Sequence, residues 1–216
     1  MMETFGKNRV RNPKYSVDIE FEIKKDTIFL DLLDKKKGRL LDCGCGDGRF
    51  AKIMSKAGFQ VYACDFDKEF YKAEEIPFKK VDLNQKLPYK SDFFDVIILR
   101  EVIEHIDNQA SLFNELHRIT KPGGFVLLET PNVHNWISKL IFLFSDHLNF
   151  FYGDYLKWIG HKHPLFTWNL ARFSENKFKI EKIFFPHAII PLLRIRLPLN
   201  SKFFGDSLVA KLRKIS

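Results

Sequence analysis

Cysteine is scarce in this chain. Three residues in 216, Cys43, Cys45 and Cys64, are too few for a disulfide frame, and one Cys-x-Cys without a second pair is a weak zinc pattern. They fall in or beside apolar runs, as small buried side chains do, so a reducing, cytoplasmic setting is expected. Long apolar runs are missing as well. None approaches the ~20 residues of a membrane-spanning helix, and the first residues, with Glu3, Lys7, Arg9 and Arg11, do not read as a secretory leader. Internal repeats and low-complexity linkers are absent. A chain of this length suits one α/β domain with a substantial core and is too short for two full ones.

What is present is concentrated in Leu40 to Phe50, Leu-Leu-Asp-Cys-Gly-Cys-Gly-Asp-Gly-Arg-Phe. An apolar pair running into an acid and then Gly44, Gly46 and Gly48 reads as a buried strand ending in a turn whose backbone lets a ligand approach closely. A helix follows, with Phe50, Ile53, Met54 and Ala57 on one face and Gly58 at the C-terminal cap. Spacing selects among nucleotide cradles. The dinucleotide fingerprint needs a third glycine where Arg49 stands, and no Gly-Lys-Ser/Thr ending makes a phosphate loop. An acid before the first glycine repels a pyrophosphate but suits a cationic amino group, so Asp42 points to S-adenosylmethionine. The run Asp42 to Gly48 resembles the first motif, Asp/Glu-x-Gly-x-Gly-x-Gly, of the class I S-adenosylmethionine-dependent methyltransferases. That resemblance implies a Rossmann-like, doubly wound α/β sheet of seven mostly parallel strands, the last antiparallel, with helices on both faces. It also implies that S-adenosylmethionine binds and leaves as S-adenosylhomocysteine.

The remaining cofactor residues follow the strands. Gln60 to Asp65 is a second apolar run closing on Asp65, whose carboxylate is expected to accept hydrogen bonds from two ribose hydroxyls. Asp67 reads as the N-cap of a helix over 68–75. Phe78 to Leu83 ends in Val-Asp-Leu, and the resemblance places Asp82 at the adenine amino group and the Leu83 backbone beside the ring. Phe93 to Leu99 reads as a central strand covered on both faces, delivering Arg100, Glu101, Glu104 and His105 to the carboxyl edge of the sheet. Asn108 to Thr120 carries Leu112, Phe113, Leu116 and Ile119 on one helical face, and Lys121-Pro122-Gly123-Gly124 stops it before a strand over Phe125 to Glu129. That stop, and the run Glu-Val-Ile-Glu-His-Ile, resemble the small-molecule branch of the family, including ubiquinone-type O-methyltransferases. The expected cofactor residues are Asp42, Cys43, Gly44, Cys45, Gly46, Gly48, Asp65, Phe66, Asp82, Leu83 and Arg100.

Residues 1–216 are read as a single methyltransferase domain. An N-terminal arm and helix (1–37), with a basic segment at 5–17 and Phe29, Leu32 and Leu33 at helical spacing, precede the cofactor-binding core (38–130). The stretch 131–170, with Trp136, the apolar run Leu140 to Phe144, and Phe150, Phe151, Tyr152, Tyr155 and Trp158, suggests a lid over a bulky or lipid-like acceptor. In 171–216, strands over Phe178 to Phe185 and Ser207 to Leu212, joined by a loop over Pro186 to Asn200, imply antiparallel pairing at the sheet edge.

Methyl transfer from a sulfonium is an in-line displacement, so positioning and exclusion of water do most of the work. His105 and His134 are the candidate general bases where an acceptor must lose a proton. No metal is expected; the alternative set is Glu101, Glu104, His105 and His163, a mixed oxygen and nitrogen group within reach of a divalent ion. Small-RNA 2′-O-methyltransferases carry a similar Glu-x-x-Glu-His. A net charge of +8 keeps RNA or an anionic membrane surface open as a partner. The leading expectation is O-methylation of a small or lipid-like metabolite. Its alternatives are a metal-dependent RNA 2′-O-methyltransferase and a non-catalytic binding protein of the same fold. The oligomeric state is not legible here.

Overall fold

A computed structural model of the chain describes residues 26–215 apart from 35, 36, 187, 191–194 and 198. The basic segment expected at 5–17 and the rest of the N-terminal arm before residue 26 lie outside the described residues. The strands are β1 Arg39–Cys43, β2 Gln60–Asp65, β3 Phe78–Lys80, β4 Phe94–Arg100, β5 Thr120–Pro131, β6 Phe178–Phe184, β7 Ala188–Ile190, β8 Ile195–Leu197 and β9 Ser207–Lys214. Seven form one sheet in the order β3-β2-β1-β4-β5-β9-β6. Pairing is parallel from β3 to β5, and β9 runs antiparallel between β5 and β6. Fold class and reversed last strand agree with the expectation.

The centre of the sheet explains why these runs are strands. In β4 the side chains alternate between two cores: Ile97 and Leu99 join the cluster holding Leu112, Phe113 and Leu116, while Val96 and Ile98 join the cluster holding Phe29, Phe50 and Met54. An apolar run with no polar alternation is what a strand covered on both faces requires. The first core is closed by helix α3, Gln109–Ile119, whose N-cap Asn108 accepts the Ser111 N–H. The second is closed by α1, helical over 26–31, and α2, Arg49–Lys56. Beyond β5 come α4, Trp136–Ser145, a π-helical turn, Tyr155–Ile159, and α5, Thr167–Ser174.

Three local expectations fail. Residues 68–75 are turns and irregular backbone, not helix. Asp67 accepts the Glu69 N–H at 2.9 Å and starts only a turn, while Tyr71 donates to the Ile76 carbonyl and Ala73 and Ile76 are buried. Tertiary contact overrides local propensity there. The helix ends at Ile119, before Lys121-Pro122-Gly123-Gly124 as expected, but the strand starts earlier than Phe125 and takes the run into β5 as a register shift between pairings Phe94 with Thr120 and Val96 with Phe125. The expected loop over 186–200 contains the antiparallel hairpin β7–β8 in its described part.

Lys211, buried in β9, pins α1 to the sheet. Its ammonium donates to the Leu32 carbonyl at 3.0 Å, pairs with Asp34 and lies 3.7 Å from Glu181. Replacing it by methionine leaves the Leu32 carbonyl without its donor and Asp34 with Arg213 as its remaining cation. Because Asp34 is partly solvated, the expected loss is about 1–3 kcal/mol, below that of a fully buried pair, read as a lower urea midpoint at unchanged slope.

Candidate active site

The chain leaves β1 at Cys43 and bends through three left-handed glycines, Gly44, Gly46 and Gly48, with φ of 81°, 54° and 81°. The Gly44 and Cys45 N–H groups both donate to the Cys64 carbonyl, at 2.8 and 3.0 Å. A Cβ at Gly44 would lie 2.3 Å from Val102 Cγ2 and one at Gly48 2.6 Å from Ala73 Cβ, whereas one at Gly46 would meet nothing within 4 Å. Two glycines are thus dictated by packing as well as by dihedral, and only Gly46 borders open space. Sequence reasoning supplied a single cause, ligand approach, for all three.

Asp65, at the tip of β2, accepts the Gly46 N–H at 2.9 Å through Oδ2 and the Asp67 N–H at 3.1 Å through Oδ1. The same carboxylate expected to receive a ribose therefore also shapes the turn. Beside it lies a cleft of about 220 Å³ bordered by Asp42, Cys45, Gly46, Arg49, Arg100 and Glu101, among others. Asp42 is buried at the end of β1, and its Oδ2 has no hydrogen-bond partner in the described structure. Burial raises its pKa to about 7; Arg100 opposes the rise and Asp65 adds to it.

The arginines of the cleft wall are held by two acids that sequence reasoning missed. Asp26 of α1 pairs with Arg49 and, at 2.7 Å, with Arg100. Glu129 of β5 accepts from Arg100 Nε at 3.3 Å. The Arg100 guanidinium lies 5.0 Å from the Phe29 ring centre and 4.5 Å from that of Phe50. Their available signals were an acid three residues before Phe29 and a lone acid ending the apolar run 125–128.

Of the other expected cofactor residues, Cys45 and Arg100 border the cleft. Cys43 does not, because its side chain is wholly buried in the core with Sγ 3.8 Å from that of Cys64. Phe66, Asp82 and Leu83 follow the carboxyl ends of β2 and β3 on the same edge of the sheet. Phe66 is exposed, Leu83 is buried, and Asp82 accepts the Asn84 N–H at 2.9 Å.

A second group of polar side chains follows β4. Glu101 adopts φ 52° and donates its N–H to the Glu129 carbonyl, a conformation that a non-glycine residue holds only when its surroundings enforce it. Glu104 is fully buried; Oε2 accepts from Thr130 Oγ1 at 2.9 Å, and Oε1 has no hydrogen-bond partner. Burial, with Glu101 next, pushes its carboxyl well above the usual range. His105 Nε2 and His161 Nε2 lie 4.0 and 3.8 Å from that Oε1. The alternative metal set is corrected here: His161 joins Glu104 and His105, while His163 is exposed with Nε2 3.9 Å from Asp107. His134 is engaged elsewhere. Its Nε2 accepts the Thr167 N–H at 3.1 Å, and burial, then Lys202 and Lys139, lowers its pKa to about 4. That occupied lone pair removes it as a base.

A glycine-bent nucleoside cradle at the carboxyl edge of a parallel sheet, led by an unsatisfied acid, defines a class of binding fold. A family profile described as a methyltransferase domain matches residues 20–165, and the chain belongs to this family, the class I S-adenosylmethionine-dependent methyltransferases. Their cofactor is S-adenosylmethionine, with S-adenosylhomocysteine as product. A ubiquinone biosynthesis O-methyltransferase of Rickettsia typhi is 34% identical over 125 residues, covering 54% of this chain and 49% of that protein. Its namesake from Aeromonas salmonicida is 27% identical over 149 residues, 61% and 63% of the two chains. The chain thus spans less than two thirds of either relative. A methyltransferase structure from Archaeoglobus fulgidus superposes with a TM-score of 0.69 at 17% identity, covering 90% and 94% of the chains, and shares the fold.

Asp42 yields a stability prediction. Its carboxyl prefers the protonated form when folded, so the contribution of Asp42 to stability is fully present below about pH 4 and is lost as pH rises through about 7. Asp42→Asn, neutral throughout, is expected to be more stable than wild type by a few kcal/mol (roughly 2–4) at pH 8. The advantage should vanish near pH 3.5. Chemical denaturation at the two pH values reads it directly, and equal stability at pH 8 contradicts a buried, unpaired carboxylate.

Proposed function

We propose that the chain transfers a methyl group from S-adenosylmethionine to an oxygen of a small or lipid-like metabolite. The observation that carries this reading is the buried Asp42 oxygen without a partner, next to the open face of Gly46. A cationic amino group satisfies that oxygen, and a side chain at position 46 would fill the space a ligand needs. In this reading Asp65 accepts from ribose hydroxyls while still holding the Gly46 N–H, Phe66, Asp82 and the Leu83 backbone form the adenine side, and Arg100 is part of the cleft wall. When bound, the cofactor supplies an electrophilic methyl carbon on a sulfonium. The protein's part is to orient the two reactants and keep water out.

The segment 131–170 is the proposed acceptor side. In α4, Leu143 and Phe144 are 72% and 81% exposed, beside exposed Leu140 and Phe142, and no acid precedes Asp146 in that helix. Lys139 flanks them, its ammonium over the Phe203 ring. Apolar projection with a single flanking cation suits an acyl chain better than a nucleic-acid backbone. The two O-methyltransferase relatives point the same way by name. A purely scaffolding role gives no reason to keep an acid buried and unpaired at an open cradle.

Calorimetric titration with S-adenosylhomocysteine tests the cradle. Wild type is expected to bind, and ligand at about 100 times Kd to add about 2.7 kcal/mol of stability. Asp65→Asn, which keeps an acceptor for the Gly46 N–H but loses the charge, is expected to weaken binding at least roughly tenfold. A wild type indifferent to saturating ligand supports the non-catalytic reading, and an unaltered affinity in the variant removes Asp65 from the ribose role. A second measurement follows from the Asp42 pKa of about 7. Binding a cation there displaces a proton at lower pH, so affinity should fall about tenfold per pH unit below 7, a dependence absent in Asp42→Asn.

A further inference from the structure

We infer that Glu104, His105 and His161 bind a divalent transition-metal ion beside the cleft. Their candidate ligand atoms lie within 4.8 Å of one another. Glu104 contributes a completely buried carboxylate oxygen that has no hydrogen-bond partner, and both Nε2 atoms, at 3.8 and 4.0 Å, are too far to satisfy it by hydrogen bonding. Both imidazoles are already oriented. His105 Nδ1 lies 3.0 Å from the Gly160 carbonyl and His161 Nδ1 2.9 Å from the Phe150 carbonyl. A carbonyl can only accept, so each Nδ1 carries the proton and each Nε2 presents its lone pair, the second-layer arrangement that metal-binding histidines use.

The two chain segments are stitched together around the group. The Lys162 and His163 N–H groups donate to the Glu104 carbonyl at 2.9 and 3.0 Å, and His161 follows the π-helical turn Tyr155–Ile159, a form that concentrates at functional sites. A tetrahedral ion with bonds of about 2.0–2.2 Å holds its ligands about 3.3–3.6 Å apart, so side-chain shifts of up to about an ångström close the site. Two imidazoles with one carboxylate favour zinc, iron, cobalt or manganese over magnesium or calcium. Three protein ligands leave a position open. The Glu101 charge acts on Glu104, and Glu101 also borders the cleft, which sets the ion next to the cradle. His105 is then a ligand and not a base. An acceptor oxygen taking the open position extends the proposed methyl transfer and rests on that reading; metal binding itself does not.

The test uses the full chain, stripped with a chelator and titrated with cobalt(II), whose visible absorption reports imidazole ligation, and with zinc in competition. Wild type is expected to take up one ion per chain. His161→Ala and Glu104→Gln should weaken binding roughly 10–100-fold or more, and His163→Ala should bind as wild type does. Thermal melting of the metal-free variants checks folding, and the conservative His161→Gln replaces any that fails. The proposal is overturned if wild type binds neither ion, or if folded His161 variants bind as tightly as wild type. S-adenosylhomocysteine titration of the metal-free protein reads the cradle separately, so failure of one assignment is distinguishable from failure of the other.

Discussion

A carboxylate that the protein itself leaves unsatisfied sets the terms for the rest of the site. β1 lies between β2 and β4 with both faces covered, so a side chain at its carboxyl end is cut off from bulk water. Asp42 stands there with the Ala51 backbone of α2 as a partner and one oxygen unpaired. The obvious internal remedy is an ion pair with Arg49 or Arg100, both of which border the same cleft. The fold prevents this by engaging them otherwise. Asp26 takes both guanidiniums, Glu129 also holds Arg100, and the Phe29 and Phe50 rings lie within cation–π distance of it. The arginines lend Asp42 a favourable field at a distance without closing the space in front of it. The instability that remains is the driving force a cationic ligand recovers on binding.

The parts of this design that were legible in the sequence are those written as backbone or burial requirements. A glycine every second residue after an apolar run, with an acid in front, constrains dihedral angles and access, and the bend at 44–48 has the form anticipated. β4 was legible because a strand covered on both faces tolerates no polar alternation. What stayed hidden depends on contacts between distant residues. The role of Asp26 requires α1 to dock on the sheet, 74 residues from Arg100. The choice of His161 over His163 is made by the Phe150 carbonyl, 11 residues away, and no local pattern distinguishes two histidines two positions apart. Likewise, 68–75 has helical composition, yet its buried Ala73 sits where a Cβ on Gly48 would touch it. The cradle therefore dictates the backbone there.

His134 shows the same limit from the other side. Its position just after β5 made it a natural base, but a histidine that accepts the Thr167 N–H is fixing the start of α5. The rings of Phe166 and Phe185 lie edge-on to it at 5.5 and 6.2 Å. Burial favours its neutral form, and a neutral imidazole is the form able to accept that hydrogen bond. The charge state that suits a base is here used for architecture.

The carboxyl end of β4 joins the two polar centres. Arg100 turns toward the cleft, and Glu104 and His105 turn toward His161 across four residues that contain one left-handed non-glycine, Glu101. An extended or helical continuation would carry the chain past one centre or the other. The reversal at Glu101 is held by its N–H bond to the Glu129 carbonyl, and the side chain of Glu129 in turn holds Arg100. One residue of β5 thus positions the cleft wall through its side chain and the turn through its backbone. On the β4 side, the separation between the cradle and the Glu104 turn is set from paired strands. Groups that must hold a mutual distance to within a fraction of an ångström are better anchored to such rigid elements than to loops alone.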